Sequence, residues 1–300
     1  MKKKTYLFAL MAMVLTLGSC SDNENGIGGE TSKYITVSTS IGNMTRVATD
    51  AKGGQTFEEG DEISVYAWTG APTVAPETSE RVVNNAINKL TNGSWVSTPQ
   101  MLWKNNRDKH YFIGVYPVSA ISDLSAGEYT FDETKQVESD LLVAVNKDGI
   151  SYNADEQQTV PLTFTHVMAK LAVNLTYKNQ WGGIPTVEKV VVGNAAKEAT
   201  INYLTKVVTP SATAKEDFSL PEITENTKYV SVIIPQEEVK QLTIVIGGKN
   251  FVYDNGTPFK LESGKITTVN LEVGRDEIKL GDVKITNWED GSTFSGEALN

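Results

Sequence analysis

Hydrophobic and polar residues alternate in many short segments of the chain, which is the pattern of half-buried β-strands. Turns rich in Gly, Pro, Asn and Asp separate these segments, for example Asn92-Gly93 and Asp148-Gly149. The predicted strands are residues 62–68, 110–116, 141–145, 160–165, 170–177, 188–192, 229–234, 242–246, 250–253, 265–273 and 283–288. Short strands at such regular spacing predict an all-β protein built from sandwiches rather than a parallel α/β sheet.

The first alternating segment, residues 34–41, is the leading strand of the chain. Its period of two places Ile35, Val37, Thr39 and Ile41 on one face and polar or aromatic side chains on the other. A basic residue, Arg46, follows in a loop context. The pattern leaves open whether this strand stays in the protein or is removed by proteolysis.

Two further features concern the organisation of the chain. Residues 80–90 show a weak helical pattern through Val82, Val83, Ala86, Ile87 and Leu90. A polar break in composition at residues 151–158 divides the chain into halves of similar size. We therefore predict an N-terminal domain over residues 34–158 and a C-terminal domain over residues 159–300.

Residues 1–19 have the features of a secretory signal: three lysines, a short apolar run and small residues. Cys20 follows, and as the only cysteine it excludes an intrachain disulfide. We predict that Cys20 is the lipidated residue of a bacterial lipoprotein; the alternative is a signal-peptide cysteine without a role. Residues 20–33 are polar and rich in glycine, so they are predicted to be a flexible tether.

The charge of the chain limits its partners. The net charge is −10 at pH 7, and removal of the three lysines in the signal peptide lowers it to −13. A chain this acidic lacks the basic surface that holds phosphate backbones. Nucleic acid is therefore excluded as a predicted partner.

The residues that carry enzyme chemistry are scarce. His110 and His166 have no Cys, His or carboxylate at a metal-motif spacing, so both are interpreted as structural. No nucleophile-elbow motif is present. We predict no catalytic residue, no metal, no cofactor and no enzyme activity. The tryptophans could instead form a platform that stacks on sugar rings, although they are widely spread: Trp68, Trp95, Trp103, Trp181 and Trp288.

Several segments, in this order, resemble the fimbrillin family, the subunits of Bacteroidales type V pili. They are the lipobox at Cys20, Thr45-Arg46, residues 57–67, Trp103 with the aromatic strand at residues 111–117, the F-x-H-x-x-A-K-L segment within residues 162–175, and the closing strands at residues 261–273 and 285–288. The resemblance spans nearly the whole chain, and its specificity lies in the order of the segments. Gly114 departs from it, since alanine is common at that position.

The resemblance implies two tandem transthyretin-like β-sandwich domains after the signal peptide and tether. It also implies that an arginine-specific protease cuts after Arg46, so that Val47 becomes the new N-terminus. The leading strand then leaves, with Ile35, Val37 and Ile41 as its groove-filling residues. A C-terminal strand of the next subunit takes its place by donor-strand exchange. The candidate donor residues are Ile278, Leu280, Val283 and Ile285, and the alternative keeps residues 283–288 in their own sheet.

The predicted function is therefore that of a structural pilus subunit that mediates cell adhesion. Its predicted partners are other pilus subunits, the protease and the outer membrane, which it would reach through the lipid on Cys20. Its predicted location is the surface of the outer membrane. The alternative is a monomeric surface lipoprotein that binds glycans through its tryptophans.

Overall fold

The computed structural model describes residues 33–42, 56–153, 158–254 and 256–288. These residues are mostly strand, with two short 3-10 helices at Thr78–Glu80 and Asn179–Trp181. The strands are β1 (Thr36–Ile41), β2 (Glu62–Thr69), β3 (Val83–Thr91), β4 (Ser94–Thr98), β5 (Lys109–Tyr116), β6 (Gly127–Thr130), β7 (Leu142–Ser151), β8 (Thr159–His166), β9 (Ala169–Tyr177), β10 (Val187–Ala196), β11 (Glu198–Asn202), β12 (Val207–Pro210), β13 (Lys215–Ser219), β14 (Glu222–Thr224), β15 (Lys228–Ile233), β16 (Gln241–Ile246), β17 (Lys249–Asp254), β18 (Lys265–Val273) and β19 (Ile278–Asn287).

The strands form four sheets. A seven-stranded sheet has the order β1-β8-β7-β5-β2-β3-β4, and a five-stranded sheet has the order β14-β15-β9-β18-β19. The other two are β13-β10-β16-β17 and β12-β11-β6. The prediction of an all-β protein is confirmed.

The helix suggested by residues 80–90 is wrong, because these residues form most of strand β3. The pairing of β3 with β2 shifts register between Val83 and Ala86, and Asn85 there has a left-handed φ of 54°. The shift is a β-bulge, which inserts an extra residue into one strand. As a result, the buried side chains of Val83 and Ala86 stand three residues apart, and this spacing imitates one face of a helix.

The seven-stranded sheet is buried on both faces. In β2 the side chains of Ile63 and Val65 enter one hydrophobic cluster, whereas Tyr66 and Trp68 enter another. The first cluster contains Ile35 and Val37 of the leading strand. The second cluster continues into the sheets of the C-terminal half. The leading strand therefore packs into a hydrophobic cluster that is separate from the one shared with the C-terminal half.

Two strands pair across the predicted boundary at residue 158. Strand β8 follows that boundary but pairs with β7 and β1 in the N-terminal sheet. Strand β6 precedes it but pairs with β11 of the C-terminal half. The division into residues 34–158 and 159–300 stays a prediction.

Candidate functional site in the groove of the leading strand

The leading strand has two backbone partners, which contact different parts of it. On one edge it pairs in parallel with β8, from Thr36 opposite Thr159 to Ile41 opposite Phe164. On the other edge, the Ile35 N–H donates to the carbonyl of Met101 at 3.0 Å, and the Trp103 N–H donates to the carbonyl of Lys33 at 3.2 Å. We call the space between β8 and residues 101–103 the acceptor groove. The leading strand fills it, pairing with β8 along residues 36–41 and hydrogen-bonding to residues 101–103 through Lys33 and Ile35.

The inward face of β1 changes in character along the groove. Ile35 and Val37 are buried, with 2% and 6% of their surface exposed. The hydroxyl of Thr39 accepts a hydrogen bond from Nε1 of Trp95 at 3.0 Å, and Ile41 is half-buried against the same cluster. The groove thus offers two deep apolar places, then an N–H donor, then a partly covered place.

An aromatic cluster closes the groove beside Ile41. The ring of Phe57 meets those of Trp95, Tyr116 and Phe164 edge to face, with centroids 5.3, 5.4 and 5.1 Å away. Burial, together with nearby Asp61, raises the pKa of Tyr116 to about 12, so this ring is neutral at physiological pH. Rigid aromatic contacts of this kind fix the shape of the groove at that end.

Strand β8 depends on β1 for its pairing. Strand β7 pairs with β8 only at Phe164, Thr165 and His166. Within the described residues, β1 is therefore the strand partner of residues 159–163. Loss of β1 would leave the backbone donors and acceptors of this half of β8 exposed, and such an edge readily pairs with another strand.

The candidate donor residues lie in a different sheet. Strand β19 is the edge strand beside β18, where Ile278, Leu280, Val283 and Ile285 share one face. Their partners in β18 are buried, yet Leu280, Val283 and Ile285 remain 37%, 39% and 40% exposed. The structure therefore shows an incompletely covered apolar row at the edge of the sheet.

A β-bulge produces this row. Val283 pairs with Val269 and Leu280 pairs with Leu271, so Gly281 and Asp282 together face a single residue, Asn270. The Asn270 side-chain amide donates to the Asp282 carboxylate at 2.6 Å. Without the bulge, the side chains of residues 278 and 280 would point away from those of residues 283 and 285.

Trp288 anchors the end of β19. It is 4% exposed, and its ring stacks on His166 with centroids 4.1 Å apart. The Lys170 ammonium lies 4.2 Å from the centre of the same ring, in cation–π geometry. His166 also contacts the Asp140 carboxylate through Nδ1 at 2.7 Å. Burial lowers the pKa of Lys170 to about 8.

The other histidine, His110, is fully buried. Its Nε2 accepts a hydrogen bond from the Lys104 N–H at 3.1 Å, and its ring meets Trp103 edge to face. Burial lowers the pKa of His110, which favours the neutral ring. Among the described residues, no group of three or more His, Cys, Asp or Glu side chains is placed to hold a metal.

The tryptophans do not form a sugar-stacking platform. Trp68, Trp103 and Trp288 are at least nine-tenths buried, and Trp95 and Trp181 pack within separate parts of the core. Trp68 and Trp103 line a common open cavity of about 710 Å³, but only 2% and 8% of their surface is exposed. Stacking on a sugar needs an open ring face, so the structure gives no support to the glycan-binding alternative.

Three predicted positions, Cys20, Arg46 and Val47, lie outside the described residues. The alternating pattern predicted the face that Ile35, Val37, Thr39 and Ile41 share. It missed three features of the groove: β8 as partner, residues 101–103 as the second wall, and the contact of Trp95 with Thr39. Within the described ranges, no helix is long and apolar enough to cross a membrane.

Solved structures similar to this chain share its fold. One from Bacteroides ovatus, described as a candidate cell adhesion protein, is 18% identical with a TM-score of 0.65, and the match covers 85% of this chain and 98% of that chain. A fimbrial protein from Bacteroides vulgatus is 13% identical with a TM-score of 0.51, covering 84% and 99%. The tip fimbrial protein Mfa3 from Porphyromonas gingivalis, truncated at its C-terminus, is 11% identical with a TM-score of 0.51, covering 77% and 95%.

Identities this low establish similarity of fold alone. A search of curated protein sequences finds no match. The family model described as fimbrillin-like matches residues 45–288, which is well over half of the chain. The chain therefore belongs to the fimbrillin-like family.

Proposed function

We propose that this protein is a structural subunit of a type V pilus that assembles by donor-strand exchange and mediates cell adhesion. Membership of the fimbrillin-like family indicates a structural rather than a catalytic protein. The observation that carries the proposal is the acceptor groove, in which one short N-terminal segment completes a hydrophobic core. This segment pairs with β8 along residues 36–41 and hydrogen-bonds to residues 101–103 at its start.

The proposed maturation begins with export. Residues 1–19 direct the chain out of the cytoplasm, and a lipid on Cys20 tethers it to the outer membrane. An arginine-specific protease then cuts after Arg46 and leaves Val47 as the N-terminus. The family match begins at residue 45, directly beside Arg46, so the shared part of the chain is nearly the part that would remain after the cut.

Loss of the leading strand would cost much of the stability of its core. Full burial of Ile35 and Val37 contributes about 1.5–3 kcal/mol each. Half-buried Ile41 adds a smaller amount. The combined loss, about 3–6 kcal/mol for the two buried residues, is comparable with the whole net stability of a domain, about 5–15 kcal/mol. A cut subunit would therefore need a replacement strand.

The proposed replacement is the C-terminal strand of another copy or of a related subunit. Strand β19 suits this role because it is an edge strand and its apolar row is incompletely covered in its own sheet. Strand addition to the open edge of β8 would restore the lost backbone hydrogen bonds. The pilus at the cell surface is then a chain of subunits joined by such strands.

Proteolysis of the purified mature protein tests the proposal. An arginine-specific protease should release the leading strand, give Val47 as the new N-terminus and allow multimers that persist in size-exclusion chromatography. Arg46→Lys should block both the cut and the multimers. Arg107→Lys, at an exposed position just before β5, is the control and should block neither. Cleavage at Arg46 without any multimer would contradict assembly by exchange.

A further inference from the structure

Strand β19, in the bulged conformation that it has beside β18 (its home conformation), does not match the spacing of the acceptor groove. The leading strand runs parallel to β8 and presents its inward residues at a strict period of two. Strand β19 shows four apolar side chains on one face only because of the bulge at Gly281 and Asp282. Bulges are rare in parallel pairs. A donor that takes the direction of the leading strand therefore has to straighten.

Straightening separates the four apolar residues into two pairs. One face of the straight strand carries Ile278, Leu280, Asp282 and Lys284, and the other carries Val283 and Ile285. Only one of the apolar pairs can then enter the deep part of the groove. The question is which register the groove selects.

The face with Val283 and Ile285 fits poorly in each register. If Val283 takes the place of Ile35, the buried Trp288 moves to the outward, exposed place of Ser40. If Gly281 takes the place of Ile35, a deep apolar place is left without a side chain. If Lys279 takes it, a charge is buried without a partner.

The side chains on the other face match, in order, the four inward places of the leading strand. We propose that Ile278 and Leu280 of a second copy occupy the places of Ile35 and Val37, and that Asp282 replaces Thr39 as the acceptor for Nε1 of Trp95. The inference rests on the proposed function, since it specifies the register of that exchange. Lys284 then lies at the place of Ile41, with its aliphatic stem on the aromatic cluster and its ammonium in water.

The hydrogen-bonding partners of Asp282 support this register. At home its carboxylate accepts from the Asn270 amide at 2.6 Å, and in the groove it accepts from the Trp95 indole. Thr39 is only half-buried, so a carboxylate at that place keeps contact with water. The strand therefore exchanges one donor for another and loses its bulge. Val283 and Ile285 turn to the outer face of the sheet.

A matched pair of variants tests the register. Leu280 and Val283 are 37% and 39% exposed at home, so alanine at either costs a similar amount there. The mature protein is cut with arginine-specific protease and titrated with a fluorescent peptide of residues 277–286, and binding is followed by anisotropy. Leu280→Ala in the peptide should weaken binding at least about tenfold, and Val283→Ala less than about twofold.

Each outcome has a distinct meaning. Equal weakening by Leu280→Ala and Val283→Ala overturns the straight register in favour of a retained bulge, while the exchange itself stands. Stronger weakening by Val283→Ala overturns it in favour of the opposite face. If the peptide does not displace the leading strand at all, the result contradicts the proposal that residues 277–286 act as the donor strand. As a further check, Asp282→Ala should weaken binding to the wild-type groove but not to a Trp95→Phe groove.

Discussion

Replacement of Gly114 by alanine tests how tightly the acceptor groove is packed. Gly114 lies in β5, and a Cβ atom there would stand 2.6 Å from Cζ of Phe164 and 3.1 Å from Cδ1 of Leu162. Both neighbours are fully buried in the cluster that contains the leading strand. Alanine at this position therefore does not fit unless the Phe164 ring moves.

The expected loss of stability follows from two opposing effects. Overpacking of a close-packed core costs about 1–3 kcal/mol. Replacing glycine by alanine inside a regular element returns about 0.5–1 kcal/mol. We therefore expect the free energy of unfolding to fall by about 0.5–2 kcal/mol in Gly114→Ala, measured by urea denaturation of the mature chain.

Gly193→Ala is the control. Gly193 is also a buried strand residue, but the nearest atom to its Cβ position is Oε1 of Gln241, at 3.1 Å, the end of a flexible side chain. The free energy of unfolding of the Gly193→Ala variant should therefore change little. In a Phe164→Leu background the Gly114→Ala penalty should disappear, because the clashing ring atom is gone. A penalty equal to that of Gly193→Ala, or one that persists without the Phe164 ring, would refute the packing argument.

Three further predictions concern the two strands and the buried lysine. Ile35→Ala should lower the free energy of unfolding by about 2–5 kcal/mol, and Ile41→Ala by clearly less because Ile41 is half-buried; equal losses in urea denaturation would contradict the burial gradient. Trp288→Ala should cost about 3–5 kcal/mol and speed amide hydrogen exchange in β19, whereas Trp288→Phe should retain part of the protection. Burial lowers the pKa of Lys170 to about 8 from 10.5, so between these pH values the unfolded chain binds more protons and the Lys170 contribution to stability rises with pH. Compared with Lys170→Met, the wild type should gain up to about 1.4 kcal/mol per pH unit in that window; parallel pH profiles would show that Lys170 does not titrate differently on folding.

The sequence predicted most strands because their burial is one-sided and periodic. Every predicted segment coincides with an observed strand, from residues 62–68 in β2 to residues 283–288, which overlap β19. The missed strands are β3, where the bulge imitates a helix, and β4, β6 and β11 to β14, which are short. Strands β4 and β13 are also largely exposed. Their backbone conformation is set by pairing with distant strands, as in β6 with β11, which no local pattern records.

The candidate site was predictable in its side chains but not in its walls. Alternation alone placed Ile35 and Val37 inward. The parallel partner β8, however, lies more than 120 residues further along the chain. The hydroxyl groups of Thr36 and Thr159, for example, are in contact although these residues are 123 positions apart. The second wall at residues 101–103 has no strand pattern of its own. Both walls depend on tertiary contacts that a periodicity cannot report.

β-bulges explain why the sequence pattern of β3 predicted a helix. A bulge also determines which apolar side chains β19 presents on one face. In β3 an inserted residue moved two buried positions three apart and imitated a helix. In β19 the same device does the opposite, since it gathers apolar residues from both faces of the strand onto one. At home that gathered row is held by Asn270 and by the buried Trp288 at its end. A parallel groove disfavours the bulge. In the proposed exchange, the same ten residues would therefore have one apolar face in their own sheet and a different one in a neighbouring subunit. The proposed exchange would thereby select a register through backbone geometry as well as through side-chain shape.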